Sequence, residues 1–461
     1  MRKTFKHVYD HKTLYVGILI YLLFFVSVLF TGWLDIFFSG AALHVGAKGI
    51  DYFQVPRGAW AFLHGGSLTG SALPDGSMYA RSFFANSNVY HPFFTLTLGS
   101  FLIKFDPVIS PFVWLTIKSA LTLVVVLYFY WNFRSYRYVQ FATILILANF
   151  SVYLELAAWQ FHFVLNLFLF LLLIALSKKQ STIWAGVCYG LTLLVKPIGL
   201  LFIVALLVKR HWKIVALGAG VFLICTIPFF VNGSAQYYID NLKANIFDAG
   251  KLGPNQIISL TALLQFSAIT NWPDIVYKAI QYLSLLTVLF LGSLRRTHIA
   301  KAILLMVIYF LFFYDQVYEY HWSTLPFVLA ICVVLLPEFQ TRFSRFCQLL
   351  ICLPSCFALL NLWHIDIIND PRLGLLPGDN AWKWIVFSKV LPVILLCISI
   401  SYADIKPTFI QLQTFWHAML KINDHLQLFG AEAKEQKEIP LSPDLSRTVL
   451  TSLKENASQE Q

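Results

Sequence analysis

From Leu14 to Tyr402 one apolar run follows another, and most charged residues stand in the breaks between runs. A run of about 20 apolar residues matches the hydrocarbon core of a bilayer, where only helices and closed barrels satisfy their own backbone. The runs lie near 14–31, 92–103, 111–131, 138–154, 161–176, 183–195, 197–208, 214–231, 274–294, 299–313, 322–337, 346–363 and 384–402. That succession predicts an all-α polytopic integral membrane protein with about 12 transmembrane helices. Composition agrees: 58% of the 461 residues are hydrophobic and 12% are charged, against about 25% charged in a soluble domain.

The net charge of +11 does not imply nucleic acid, because the cations are spent on orientation. Arg2/Lys3/Lys6, Arg134/Arg137, Lys178/Lys179, Lys209/Arg210/Lys213, Arg295/Arg296 and Arg342/Arg345 all sit between runs, and the positive-inside rule makes them cytoplasmic. Residues 32–90 then form a large first outer loop, 232–273, 314–321 and 364–383 lie outside as well, and both termini are cytoplasmic. Residues 1–13 precede the first run, and no A-x-A-like site follows Phe30, so the first helix is expected to stay uncleaved. The seven cysteines include no CxxC pair and read as small core residues.

Two stretches strain this scheme. The run at 92–103 spans only ~18 Å as a helix, and parity allows a single crossing between residues 92 and 131. It is expected to be broken or re-entrant, unless Arg134 and Arg137 are not cytoplasmic. The run at 183–208 has basic clusters on both sides and Lys196-Pro197 in the middle, which fits a hairpin with Lys196 at its tip. The transmembrane domain is expected to cover 14–403. Residues 404–430 have apolar residues at helical spacing and read as an amphipathic helix on the cytoplasmic leaflet. Residues 431–461 are polar and charged and are expected to be disordered.

Four groups of polar residues are candidates for chemistry. Asp51 opens the segment GIDYFQVPRGAWAFLHGG, where it is either a general base at the membrane surface or an N-cap for the helix that follows. Lys196 is a cation near mid-membrane, at a cost of at least ~2.5 kcal/mol. It either meets a phosphate or snorkels to an interface. Asp315, Glu319 and His321 form a polar patch where the run at 322–337 begins. There His321 could orient a hydroxyl, and a metal is the weaker alternative because the spacing is irregular. Glu155, Trp159, Gln160 and His162 form a second patch at an outer end, suited either to sugar hydroxyls, with Trp159 stacking on a ring, or to plain helix-end capping. The loop at 232–273 adds Asn255 and Gln256 as sugar or acceptor contacts.

In sequence order these pieces resemble the GT-C membrane glycosyltransferases, and more closely glycosyltransferase family 87. The resemblance rests on GIDYFQVPRGAWAFLHGG, VYHPFFTLTLGSF at 89–101, WQFHFVLNLFLFLLL at 159–173, LTLLVKPIGLLFIVALLVKRHWK at 191–213, PNQIISLTALLQ at 254–265 and YEYHWSTLPFVLA at 318–330. The chain departs from the family at His91-Pro92, at Trp159-Gln160 and at His162. The resemblance implies Asp51 as catalytic base and His321 as a member of the active site. It implies an inverting, metal-independent transfer from a polyprenyl-phosphate sugar, most closely mannose. Lys196, with Arg57, Arg81 or Arg372, would then stabilise the leaving phosphate. No cofactor is expected beyond that donor, and the partners are membrane lipids and a glycolipid or polysaccharide acceptor. The competing reading is a transporter or flippase of lipid-linked saccharides, disfavoured because no half-to-half repeat is visible.

Overall fold

The computed structural model describes residues 11–30, 50–68, 79, 88, 90–157, 159–231, 236, 239, 259–260, 273–294, 296–314, 317, 319–353 and 389–402. They fall in one compact unit, Met1–Tyr402, and contain helices and turns but no strand. Helix α1 is Lys12–Phe30. After a 3₁₀ turn at Ile50–Phe53 come α2 (Gln54–Leu63), α3 (Pro92–Leu102), α4 (Ser110–Phe133), α5 (Val139–Leu147), α6 (Phe150–Ala157), α7 (His162–Ser177) and α8 (Thr182–Val195). A 3₁₀ turn at Pro197–Leu200 leads into α9 (Leu201–Val208), then α10 (Trp212–Val231), α11 (Asp274–Ser293) and α12 (Ile299–Phe313). A third 3₁₀ turn, Glu319–Ser323, opens α13 (Thr324–Leu335), followed by α14 (Arg342–Cys352) and α15 (Leu391–Tyr402).

Among the described residues four stretches are long and apolar enough to cross a membrane: Ser110–Phe133, Val139–Ala157, Trp212–Phe229 and Ile275–Ser293. Most of the other apolar helices there are shorter, while α1 has 19 residues. The expected run at 138–154 divides into α5 and α6 at Ala148–Asn149, where the Asn149 side chain accepts a hydrogen bond from the Ser151 amide and restarts the helix. The amphipathic segment at 404–430 and the tail lie outside the described residues.

The basic clusters among the described residues gather at one end of the bundle. Lys178 sits over the rings of Phe133 and Tyr136 at 4.3 and 5.1 Å. Arg137 and Arg345 both stack on Tyr138, and His11 bonds the Tyr130 hydroxyl. Lys209 donates to the Leu294 carbonyl at 2.6 Å, and Lys301 ties α12 to Glu338 and to the Ile400 carbonyl. Lysines and arginines here hold helix termini together as well as standing at a membrane boundary.

The direction of each segment follows from that end. Gly186 on α8 faces Leu217 on α10, and Gly190 faces Val221, so the two helices run parallel and the chain between them must return. Lys196, in extended backbone after α8, is where it reverses. A Cβ on Gly186 or Gly190 would come within 2.5 or 2.6 Å of its neighbour's Cβ, so this small-xxx-small spacing is what lets the helices touch. Helix α3 stays at the opposite end from the basic clusters. The Ser110 hydroxyl donates to the Leu102 carbonyl and also bonds the Tyr52 hydroxyl, while the Tyr79 hydroxyl donates to the Phe105 carbonyl at 3.2 Å. Gly99 lets α3 lie on α2, since a Cβ there would meet Ala59 at 2.5 Å.

Candidate active site

The end of the bundle opposite the basic clusters carries the convergent polar groups. Its centre is Lys196, whose Nζ lies 3.3 Å from Nε2 of His321. An ammonium has three donors and no acceptor, so the ring nitrogen accepts and the His321 proton resides on Nδ1. The same Nζ stands over the rings of Tyr90 and Tyr320 at 5.6 and 5.8 Å. Chain reversal explains the placement: Pro197 cannot donate to the helix before it, so α8 ends and its last side chain projects beyond the helix end. Lys196 is half-buried, whereas His321 is 5% exposed.

His321 is held from α7. The His162 ring lies edge-on to it, with centroids 4.8 Å apart. His162 Nε2 is 2.7 Å from the Thr324 hydroxyl, which donates to Oδ1 of Asn166 at 2.7 Å. The other end of the Asn166 amide donates to the Ser323 hydroxyl at 2.8 Å. His162 and Asn166 are one turn apart on α7, so a single helix face fixes the 3₁₀ turn that carries His321.

The bend before α7 is built on a buried ion pair. Lys118 Nζ lies 2.9 Å from the Glu155 carboxylate and donates to the carbonyls of Glu155 and Gln160, each at 2.8 Å. Glu155 Oε1 also accepts from the Phe163 amide at 2.9 Å. The Gln160 amide reaches back to the Glu155 carbonyl and the Trp159 amide to that of Leu156. With Trp159 at φ +53°, this is a Schellman close with tryptophan where glycine is usual. A left-handed tryptophan costs about 1–2 kcal/mol, and Trp159 is held there by packing on Tyr52 and Phe112.

Aromatic contacts connect the Asp51 turn to this centre. Tyr52 stacks on Phe161 with centroids 5.8 Å apart, Phe161 meets Tyr90 edge-on at 5.6 Å, and Tyr90 faces Lys196. Tyr90 is fixed in turn by its amide, which donates to Oδ1 of Asn88 at 3.1 Å. Asp51 is the second residue of its 3₁₀ turn, and the cap position of α2 belongs to Phe53. Of the two roles open to Asp51 in the sequence, the N-cap of α2 is therefore taken by another residue. The backbone of Asp51 and of Glu319 is described, but not their side chains.

Other expected residues are placed differently. Trp159 and Gln160 are 6% and 2% exposed. Neither offers an open face to a sugar in this conformation, because both are consumed in closing the bend. Arg57 is 5% exposed on α2, and burial lowers its guanidinium from the ordinary value. Arg372, Asn255, Gln256, Arg81 and Asp315 lie outside the described residues. His91 caps α3 through Nδ1, which accepts from the Phe93 amide. Its Nε2 meets the Thr226 hydroxyl at 3.0 Å, so one ring joins α3 to α10.

Sequence reading missed Lys118. A lysine inside a 24-residue apolar helix demands a partner, and Glu155 supplies it, where the sequence offers that acid as a sugar contact or a helix-end cap. Lys389 was missed too. It is fully buried and donates to the Ser151 hydroxyl and to the carbonyls of Ile351 and Leu353, a cation at the end of α14.

Residues 88–314 match the model of glycosyltransferase family 87. That span contains Tyr90, Lys118, Glu155, His162 and Lys196, while Asp51 and His321 flank it. No curated protein and no solved structure matches the chain. The matched segment supplies Tyr90, Lys118, Glu155, His162 and Lys196 to the end of the bundle just described, and the protein is a membrane glycosyltransferase that is similar to family 87 over that span.

Proposed function

We propose that the protein transfers a hexose, most closely mannose, from a polyprenyl-phosphate donor to a lipid-linked or envelope glycan acceptor. The reaction would take place on the extracytoplasmic face of a bacterial cytoplasmic membrane, in a GT-C-like bundle of about 12 spans with both termini cytoplasmic. The observation that carries this reading is the Lys196–His321 pair. It is a cation at a chain reversal, oriented by a ring nitrogen and flanked by aromatic faces, at the end of the bundle away from the arginine and lysine clusters. The positive-inside rule puts that end outside, where the phosphate and sugar of a lipid-phosphate donor would lie with the tail still in the bilayer.

Asp51 removes the proton of the acceptor hydroxyl as its oxygen attacks the anomeric carbon. The bond from that carbon to the phosphate oxygen breaks, and polyprenyl phosphate leaves with one more negative charge. Lys196 meets that charge as it develops, which is where electrostatic help lowers a barrier. Arg57 and Arg372 support the phosphate side. Glu319, Asn255 and Gln256 serve the sugar and acceptor, and Trp159 and Gln160 shape that wall through the bend they form. The chemistry requires no metal in this scheme.

The test is transfer from radiolabelled polyprenyl-phosphate mannose, glucose or arabinose into a membrane lipid extract by the protein in nanodiscs. Labelled glycolipid formed by the wild type and lost in Asp51→Asn supports the reading. Label that instead crosses sealed vesicles equally with both proteins would overturn it in favour of a transporter.

A further inference from the structure

We propose that His162 is a positioning residue for the reaction, acting on the Lys196–His321 pair; the inference rests on the reading of that pair as the donor-phosphate site. The argument starts from proton counting. The Thr324 hydroxyl has one proton and gives it to Oδ1 of Asn166 at 2.7 Å. Its oxygen can therefore only accept from His162, so Nε2 of His162 carries the ring proton across the 2.7 Å contact. Nδ1 of His162 is buried and meets no described group at hydrogen-bonding geometry, while the His162 ring also lies close enough to the His321 backbone to interact with it.

The result is a one-way chain from His162 through Thr324 to Asn166, anchored to the His321 turn a second time through Ser323. Each member is at most 1% exposed, so bulk solvent does not compete for these bonds. His321 stands on this frame with its ring perpendicular to that of His162, at 89°. Rotation of the His321 ring is blocked on that side by His162 and on another by Phe310, edge-on at 6.0 Å. Holding His321 holds the Nε2 lone pair that aims Lys196. His162 thus reaches the phosphate through two intermediaries and touches no reacting atom, which distinguishes a positioning role from a catalytic one. A misplacement of about 1 Å in such a group can cost on the order of 10²-fold.

The experiment compares His162→Phe, His162→Gln, Thr324→Val and the double variant His162→Phe/Thr324→Val as full chains in nanodiscs, with polyprenyl-phosphate mannose as donor. We expect His162→Phe and Thr324→Val each to lower kcat about 10- to 100-fold, with KM for the acceptor unchanged. The double variant should be no worse than the poorer single one, because both break one chain. His162→Gln, whose amide N–H can reach the Thr324 oxygen, should restore most of the rate. A kcat for His162→Phe within about threefold of wild type, or multiplicative losses in the double variant, would overturn the proposal.

A second measurement separates this inference from the donor assignment. With ¹⁵N-histidine label and no substrate, the wild type should show His162 protonated at Nε2 and His321 at Nδ1, each identified by its loss in the corresponding Phe variant. His162→Phe should shift the His321 signal. An unshifted His321 signal, or His162 protonated at Nδ1, sinks the positioning role even if the donor is correct. Absence of transfer by the wild type from every lipid-phosphate sugar, with the shift present, sinks the donor reading alone.

Discussion

The Lys118 ammonium and the Glu155 carboxylate meet at 2.9 Å with neither side chain reached by solvent. Both partners come from helices that open or close at the functional end of the bundle. The pair also supplies the bonds that shape the Glu155–Gln160 bend, which leads directly into Phe161 and His162. A buried ion pair is weak support for stability on its own, but removing one partner leaves an uncompensated charge.

Lys118→Met should therefore cost about 3–5 kcal/mol, as is usual when one member of a buried pair is deleted. Lys118→Met/Glu155→Leu should recover part of that loss in thermal unfolding. If the double variant is no more stable than the single, Glu155 is neutral or solvated without its lysine and the ion-pair account fails.

Lys196 is expected to matter through its charge and its reach. Lys196→Met should weaken retention of polyprenyl phosphate and slow transfer by about 10²- to 10³-fold. Lys196→Arg should recover only part of the affinity, because a planar fork cannot point a single donor at His321 Nε2 as the ammonium does. Binding of polyprenyl phosphate to both variants, measured by native mass spectrometry in detergent, decides it. Unchanged affinity in Lys196→Met removes Lys196 from the phosphate site.

Gly190→Leu tests the helix contact that sets the position of Lys196. A Cβ at Gly190 would lie 2.6 Å from the Val221 Cβ and 2.9 Å from the Gly218 carbonyl oxygen. Overpacking of this kind costs about 1–3 kcal/mol or more. We expect a lower melting temperature and a fall in transfer rate together. Gly220→Leu, on the facing helix α10 but with open space around it, should leave both close to wild type.

Truncation after residue 403 should spare transfer, since every described group at the functional end comes from an earlier residue. Activity per folded molecule in nanodiscs checks this. A large loss at unchanged stability would place part of the site in the C-terminal segment.

Much of the class was legible in the sequence because hydrophobic length and the placement of arginine and lysine act locally along the chain. Each apolar run and each basic break could be read without knowing its neighbours, and Lys196 announced itself because a cation in such a run is costly wherever the chain folds. The likeness of the ordered motifs to family 87 was visible for the same reason. Polar partnerships were not. Lys118 with Glu155, Lys196 with His321 and His162 with Thr324 join residues 37, 125 and 162 positions apart, and no periodicity records such pairings. Only the packed bundle decided that α8 and α10 run parallel, that the chain therefore reverses at Lys196, and that Trp159 is spent on a helix close. Those outcomes depend on which surfaces come within van der Waals and hydrogen-bond reach, a property of the assembled helices and not of any one of them.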